Sequence, residues 1–343
     1  MRPTLKDFLV MGGEALAVRC GRGPFPLTLY VALTDRCPMR CIYCAVPRRQ
    51  QRDLPTDLVL QMVREAADLG MKRLQLVGGE PLMAPDLGAV VETANRHGVF
   101  VTLTTGGTLI AEQMAALTGV DLVFVSLDGD AQVHDTHRGA GTHAQVMAGL
   151  DRLTAAGVPF WTTTVVTRLN HDKLEAVVDL ARVRGHQANF QLLYTTGDGF
   201  ERHFHPSSLP KLALNHDEAR RVIARLRRWK KDGAPIGSST AYFDYLLGWP
   251  DLNRVYGHRE NGGPHCMAGR LYAYLDTDGR LYPCGDAVGR TPGADVTGPG
   301  GLATALEELG PQPCGACIVA CNVEQNLLFA FHPRTVVNWL RRL

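Results

Sequence analysis

The sequence predicts an α/β protein: an open, partial (β/α)6 barrel followed by a small cysteine-rich extension. Three observations carry that reading. Between residues 27 and 195, short apolar or β-branched runs alternate with stretches of helical periodicity, six times over. Strand-then-helix repeats imply parallel neighbours, because a crossover helix is what joins them. Six units fall short of the full barrel of alternating strands and helices, so the sheet is expected to stay open. The third observation is the grouping of nine cysteines, at 20, 37, 41, 44, 266, 284, 314, 317 and 321, which does not resemble an evenly spaced disulfide framework.

The elements follow in order. Residues 1–26 read as an N-terminal helical segment and residues 27–210 as the barrel. Strands are expected at Leu27–Leu33, Arg73–Val77, Phe100–Thr104, Leu122–Ser126, Trp161–Val166 and Asn189–Tyr194. Between them, Asp57–Leu69 carries one broad apolar face. Ala144–Ala156 follows a cap expected at Thr142, and His171–Val183 follows one expected at Asn170. Residues 211–262 form a helical linker region. Within it, Asn215–Lys231 opens on a capping box of Asn215 and Glu218, with Arg220, Arg221, Arg225, Arg227, Arg228, Lys230 and Lys231 on its polar face. Gly262-Gly263-Pro264 marks a boundary. Residues 263–343 then hold a hairpin (Leu271–Leu275, turn Asp276–Gly279, Arg280–Tyr282), a Gly/Pro-rich loop and a short helix.

Composition sets limits. The chain has 343 residues, 45% of them apolar, which is enough for a sizeable core. Its net charge of +2 is too balanced to suggest nucleic acid as a partner. No signal peptide is read at the N-terminus, and no apolar run approaches the ~20 residues of a membrane span. A cytoplasmic location is therefore expected, where clustered thiols mean metal or redox chemistry.

Cys37-x3-Cys41-x2-Cys44 follows the first strand directly, at the strand end where such folds bind ligands. Three thiolates in one short loop suit an iron–sulfur cluster with one iron left open. The alternative is a zinc knob completed from elsewhere. Gly78-Gly79-Glu80-Pro81 follows the second strand, Thr105-Gly106-Gly107-Thr108-Leu109 ends the third, and Ser126-Leu127-Asp128-Gly129, His134-Asp135 and Arg138 follow the fourth. In this order, each at a strand end, these segments resemble the radical S-adenosylmethionine (radical SAM) superfamily. The resemblance covers residues 27–195.

That resemblance implies a mechanism. Cys37, Cys41 and Cys44 would ligate a 4Fe–4S cluster, and S-adenosyl-L-methionine (SAM) would chelate its fourth iron. One electron would cleave the sulfonium, and the 5′-deoxyadenosyl radical would take a substrate hydrogen. Gly78, Gly79, Glu80 and Pro81 would meet the methionine moiety, the glycines by close backbone approach and Glu80 by its carboxylate. Thr105, Ser126, Asp128 and Arg138 would line the rest, with Ser126 near the ribose and Arg138 near the SAM carboxylate. Gly106 stands where the family usually has Asn. Tyr43 is expected as a shield over the cluster or near the adenine.

Cys266, Gly279 and Cys284 read as C-x12-G-x4-C, with the glycine at the hairpin turn, and Cys314-x2-Cys317-x3-Cys321 follows. Five thiols in this segment should bind metal, either as a zinc ribbon or as a cluster. The spacing resembles the SPASM/twitch extensions of radical SAM enzymes, although the later cysteines are fewer than in the full SPASM pattern. The resemblance implies one auxiliary 4Fe–4S cluster on Cys266, Cys284, Cys314 and Cys317, with Cys321 able to replace either of the last two. Cys20 reads as a structural thiol.

A closed auxiliary cluster would serve electron transfer, so oxidative modification of a small molecule is the favoured expectation. Only about 26 residues precede the first strand, so a peptide-binding winged-helix segment is not expected. The alternatives are a maturase acting on a peptide or protein, a lipid-modifying enzyme at the membrane surface, and a non-enzymatic iron–sulfur electron carrier. The apolar termini, with Leu5, Phe8 and Leu9, then Leu327–Phe331 and Trp339 beside Arg341 and Arg342, leave core packing and peripheral membrane contact both open. A reductant such as flavodoxin or ferredoxin and a monomeric state are expected. Gln191, Tyr194, Asp198, His203, His205 and Tyr245 fall where a barrel mouth would place substrate contacts.

Overall fold

The computed structural model describes residues 5–21, 23–194, 209–257, 263–309 and 314–341. Asp198, His203, His205, Gly262 and Arg342 lie outside the described residues, as do the side chains of Leu5 and Phe8. Strands β1 (Thr28–Ala32), β2 (Arg73–Val77), β3 (Phe100–Thr105), β4 (Leu122–Ser126), β5 (Phe160–Val166) and β6 (Gln187–Leu192) pair in chain order, all parallel. Each lies within two residues of its predicted run. Helices fill the gaps between them, including Thr56–Asp68, Leu87–Arg96 and Thr142–Ala155, except between β3 and β4, where only a short 3-10 turn at Met114–Leu117 forms.

Strand β7 (Tyr256–Gly257) comes next, followed by β8 (Tyr272–Leu275), β9 (Arg280–Tyr282), β10 (Ala294–Asp295) and β11 (Ala316–Cys317). The predicted hairpin forms, with β9 antiparallel to β8. Strand β8 lies parallel to β1 on the edge that β2 leaves free, so one nine-stranded sheet runs from the hairpin to β6. β11 pairs separately with β7. The helices Thr240–Leu247, Ala320–Phe329 and Pro333–Leu340 complete the C-terminal part.

Two expected caps are not made. The helix expected from His171 begins only at Glu175. The buried Asn170 amide instead donates to the Asp128 and Val165 carbonyls (2.8 and 2.9 Å) and accepts from the Thr167 amide (2.7 Å). Three backbone partners at two strand ends outweigh one local cap. Gly141, not Thr142, precedes the helix Thr142–Ala155, and the Thr142 hydroxyl donates to the Gly139 carbonyl. The capping box of Asn215 and Glu218 forms as expected on the helix His216–Lys231. On its basic face, Arg220, Arg225 and Lys230 donate to carbonyls of Leu247, His171 and Ile236, and Arg227 pairs with Asp244. At the termini, Leu327 and Phe329 are core residues, whereas Leu9 and Phe331 remain exposed.

Burial alternates along the strands. Leu29, Leu74, Leu76, Val101, Leu103 and Val123 face the helices and are sealed in the main core. The other face stays partly open: Tyr30, Thr104, Phe124, Trp161, Thr163 and Gln191 are all half-buried. Register puts these residues side by side, as in the row Thr104, Phe124, Trp161. The inner face is therefore a solvent-reached surface rather than the filled centre of a closed barrel. Asn170→Ala leaves three buried backbone groups without partners. It is expected to cost about 3 kcal/mol in unfolding free energy, measured by urea denaturation.

Candidate functional site

Parallel pairing brings the carboxyl ends of β1–β5 to one edge, and the loops that follow meet there. Cys37, Cys41 and Cys44 are half-buried and form no disulfide. Burial pushes the Cys37 thiol up to about 12 and Cys44 to about 11. Their loop is pinned from both sides. The Arg36 guanidinium binds Asp53 (2.9 Å) and the Met83 carbonyl (2.7 Å), and the Gly79 and Glu80 amides donate to the Thr34 and Arg36 carbonyls (2.6 and 2.8 Å). A Cβ on Gly79 would stand 2.4 Å from the Arg36 carbonyl oxygen. Here the close approach expected of Gly78-Gly79 is made to the cysteine loop itself.

Glu80 is fully buried. Its carboxylate accepts from the Thr105 hydroxyl (2.8 and 2.9 Å) and from the Gly106 and Leu82 amides (2.7 and 3.1 Å). Burial pushes its pKa up against those hydrogen bonds. This carboxylate joins the β2 loop to the β3 end. Pro81 is buried at the start of the turn Pro81–Met83. A Cβ on Gly106 would meet the Met39 sulfur at 2.3 Å. Met39 sits between the cysteines and fills the space that a side chain at position 106 would need.

Asp128, past the end of β4, is the second node. Its carboxylate accepts from the Tyr43 hydroxyl (2.8 Å), Arg138 Nε (2.7 Å) and the Val165 amide (2.9 Å). Arg138 Nη1 points on to Cys41 Sγ at 3.9 Å. Burial would raise the Asp128 pKa, but the Arg138 guanidinium outweighs it and holds the carboxyl below its usual range. Tyr43 lies in this wall, its ring beneath Arg138 and beside His137. Ser126 ends β4, half-buried on the inner face and paired with Thr163.

A third set of contacts joins the cysteine loop to the C-terminal hairpin. Arg49 pairs with Asp35 (3.0 Å) and Asp276 (2.6 Å), and the Thr277 hydroxyl donates to Asp35 (3.0 Å). Sequence reasoning missed Arg36 and Arg49, and took Asn170 for a helix cap. The partners of the two arginines are backbone carbonyls or lie 14 or more residues along the chain.

Cys266, Cys284, Cys314 and Cys317 lie close enough to influence one another. Burial raises Cys284 well above its usual value, and Asp286, Cys317, Cys266 and Cys314 each raise it further. Cys317 in turn responds to Cys266 and Cys314, and Cys314 to Cys266. Burial also raises Cys321, which shares the influence of Asp286 with Cys284, Cys314 and Cys317 and is lowered by Arg73. Tyr245 donates to the Cys317 carbonyl (2.9 Å), Tyr194 to Asp286 (3.5 Å), and the Gln191 amide oxygen accepts from the Ala320 amide (2.7 Å).

These donor sets fit clusters. Each is made of unpaired, buried or half-buried thiols in apolar surroundings, the first with three and the second with four. Among the described residues no three His, Cys, Asp or Glu side chains converge on one ion's position. The thiols of a 4Fe–4S cube each meet a different iron, so it does not ask for such convergence.

The geometry thus defines an α/β fold with thiols suited to iron–sulfur clusters at its strand ends, and comparisons name the family. Residues 31–181 match the Radical SAM superfamily. The chain is 35% identical over 163 residues to the PqqA peptide cyclase of Streptomyces rochei, covering 46% of this chain and just under half (45%) of that protein. It is 31% identical over 313 residues to the mycofactocin maturase MftC of Mycobacterium ulcerans, covering 85% and 79%. It is 28% identical to the AdoMet-dependent heme synthase of Methanosarcina barkeri, covering 74% and 75%. Streptococcus suis SuiB, solved with its precursor peptide SuiA, shares the fold with a TM-score of 0.64 at 16% identity, over 83% of this chain and 65% of that one. The chain belongs to the radical SAM superfamily. Its cofactors are SAM and a 4Fe–4S cluster, and the extra cysteines fit the auxiliary cluster of SPASM enzymes. Among the described residues no helix is long and apolar enough to cross a membrane.

Two outcomes follow from these contacts. Gly106→Asn drives a side chain into Met39 and should lower iron content after anaerobic reconstitution, and adding Met39→Ala should restore it. Cys321→Ser should keep about eight irons per chain, whereas Cys284→Ser should fall to about four, read by iron and sulfide assay.

Proposed function

We propose that the chain is a peptide-modifying radical SAM enzyme that oxidises its substrate, with an auxiliary cluster receiving the electron. The observation that carries this reading is the match to a maturase along most of both chains. The sequence favoured a small molecule. Relatives named as PqqA peptide cyclases, one of them matched along most of both chains, make the peptide alternative the better supported one.

When bound, SAM on its cluster supplies one-electron cleavage of the sulfonium and hydrogen abstraction from the substrate. The chain's own residues position and shield. Cys37, Cys41 and Cys44 would hold the first cluster. Glu80 locks the β2 loop to the β3 end, so the backbone facing the cofactor is already ordered. Asp128 fixes Arg138, and Arg138 places positive charge beside Cys41. Tyr43 closes that wall against water. The half-buried inner face gives the substrate its surface. Loss of a hydrogen atom and a proton leaves one electron, and Cys266, Cys284, Cys314 and Cys317 would hold its acceptor. Flavodoxin or ferredoxin is the reductant class that suits this role.

The test is anaerobic turnover with dithionite, SAM and the short peptides encoded beside the gene. A loss of 2 Da from one peptide, with 5′-deoxyadenosine formed, is expected, the mass of the two hydrogens removed. Turnover on a small molecule with every peptide unchanged would overturn the peptide reading. Replacing Cys37, Cys41 and Cys44 together by Ala should abolish 5′-deoxyadenosine while the second cluster still loads.

A further inference from the structure

We propose that Arg73 anchors a carboxylate of the substrate on the inner face of the sheet, an assignment that rests on the inner face being the substrate surface. Arg73 opens β2, and its side chain shares the inner face with Gln75, whose register partners are Tyr30 and Thr102. It is held ready: Nη2 donates to Gln75 Oε1 (2.5 Å), Nε donates to Thr102 Oγ1 (3.3 Å), and the Gln75 amide is itself fixed on Thr104 (3.1 Å).

Its surroundings lack what Arg138 and Arg49 have. Arg138 meets Asp128, and Arg49 meets both Asp35 and Asp276. Arg73 has no carboxylate partner among the described residues, and the inner-face positions around it on β1–β6 are uncharged. A guanidinium carries five donors, and a partly enclosed cation without an acid is costly. Arg73 remains partly exposed, so an incoming acid can reach it. Its charge already acts across the face, lowering the pKa of the Tyr30 hydroxyl and the Cys321 thiol against their burial.

Position along the strand sets the ligand's length. Four steps from Arg73 to Val77 span about 13 Å at about 3.3 Å per residue. A carboxylate on Arg73 therefore lies roughly four extended residues from the cysteine-loop edge. An acidic side chain or a free C-terminus a few residues from the reacting carbon would both satisfy it.

The test is arginine labelling of the full chain with phenylglyoxal, read at Arg73 by peptide mass mapping. N-acetylglutamate, taken as its α-amide so that its one acid is the side chain, and acetyl-tetraalanine with a free C-terminus are compared with their fully amidated forms. Carboxylates should slow labelling of Arg73 about tenfold, in keeping with charge-assisted hydrogen bonds, and the amides should leave it unchanged. Protection by N-acetylglutamate alone assigns an acidic side chain, and protection by the free C-terminus alone assigns the chain end. Equal labelling with acid and amide, or an Arg73 that never labels, overturns the proposal. Protection by carboxylates together with failure of all peptide turnover would uphold Arg73 and sink the peptide reading. As a second readout, calorimetric binding of the protecting carboxylate should survive Arg73→Lys and weaken at least about tenfold in Arg73→Gln, with iron content unchanged in both. Undiminished binding by Arg73→Gln overturns the proposal as well.

Discussion

The site depends on a carboxylate that water cannot reach. Asp128 is fully buried, and an unpaired charge there would cost several kcal/mol. It is tolerable only because Arg138, Tyr43 and the Val165 amide converge on it. Those partners come from the helix after β4, the cysteine loop and β5. One ionic centre therefore fixes three separate pieces of chain, and Arg138 carries its influence on to a cysteine sulfur. Glu80 does the same for the other side of the cysteine loop, with three hydrogen-bond donors, Thr105, Gly106 and Leu82, in place of a cation. The cysteine loop thus has one wall held by an ion pair and the other by a hydrogen-bonded acid.

The two cysteine groups are not independent parts. Arg49 leaves the first group's loop and ends between Asp35 and Asp276, the latter in the turn of the hairpin that carries Cys284 at its far end. The Thr277 hydroxyl reinforces the bridge to Asp35 across 242 residues of sequence. The auxiliary thiols are therefore built onto the same frame as the first three. A fixed relation between two redox centres is what electron transfer from a substrate lying between them requires.

Much of this was legible in the sequence. The strands were visible because each is a short apolar run between clear helical periods, and the cysteine spacings could be counted. The hairpin was visible because Asp276–Gly279 is a strong turn. The caps at Asn170 and Thr142 were misread for one reason: a polar side chain before a helix looks the same whether it serves its own helix or a neighbouring strand. Gly106 was seen as a departure from the family pattern, but its cause lies at Met39, in another loop. The roles of Arg36, Arg49 and Arg73 depend on which strands become neighbours. Nothing in local composition separates an arginine with an acid beside it from one without.

The pairing of β8 with β1 has a consequence for biogenesis. On the ribosome, β1 emerges long before β8, which lies far along the chain. Until then one edge of β1 presents unpaired amides and carbonyls, an open template for another chain. Sheet closure across so long a sequence interval is also slow. The nascent barrel should therefore lean on chaperones until β8 is made. Iron should enter late as well, because Arg49 cannot complete its hold on the first cysteine loop before Asp276 arrives.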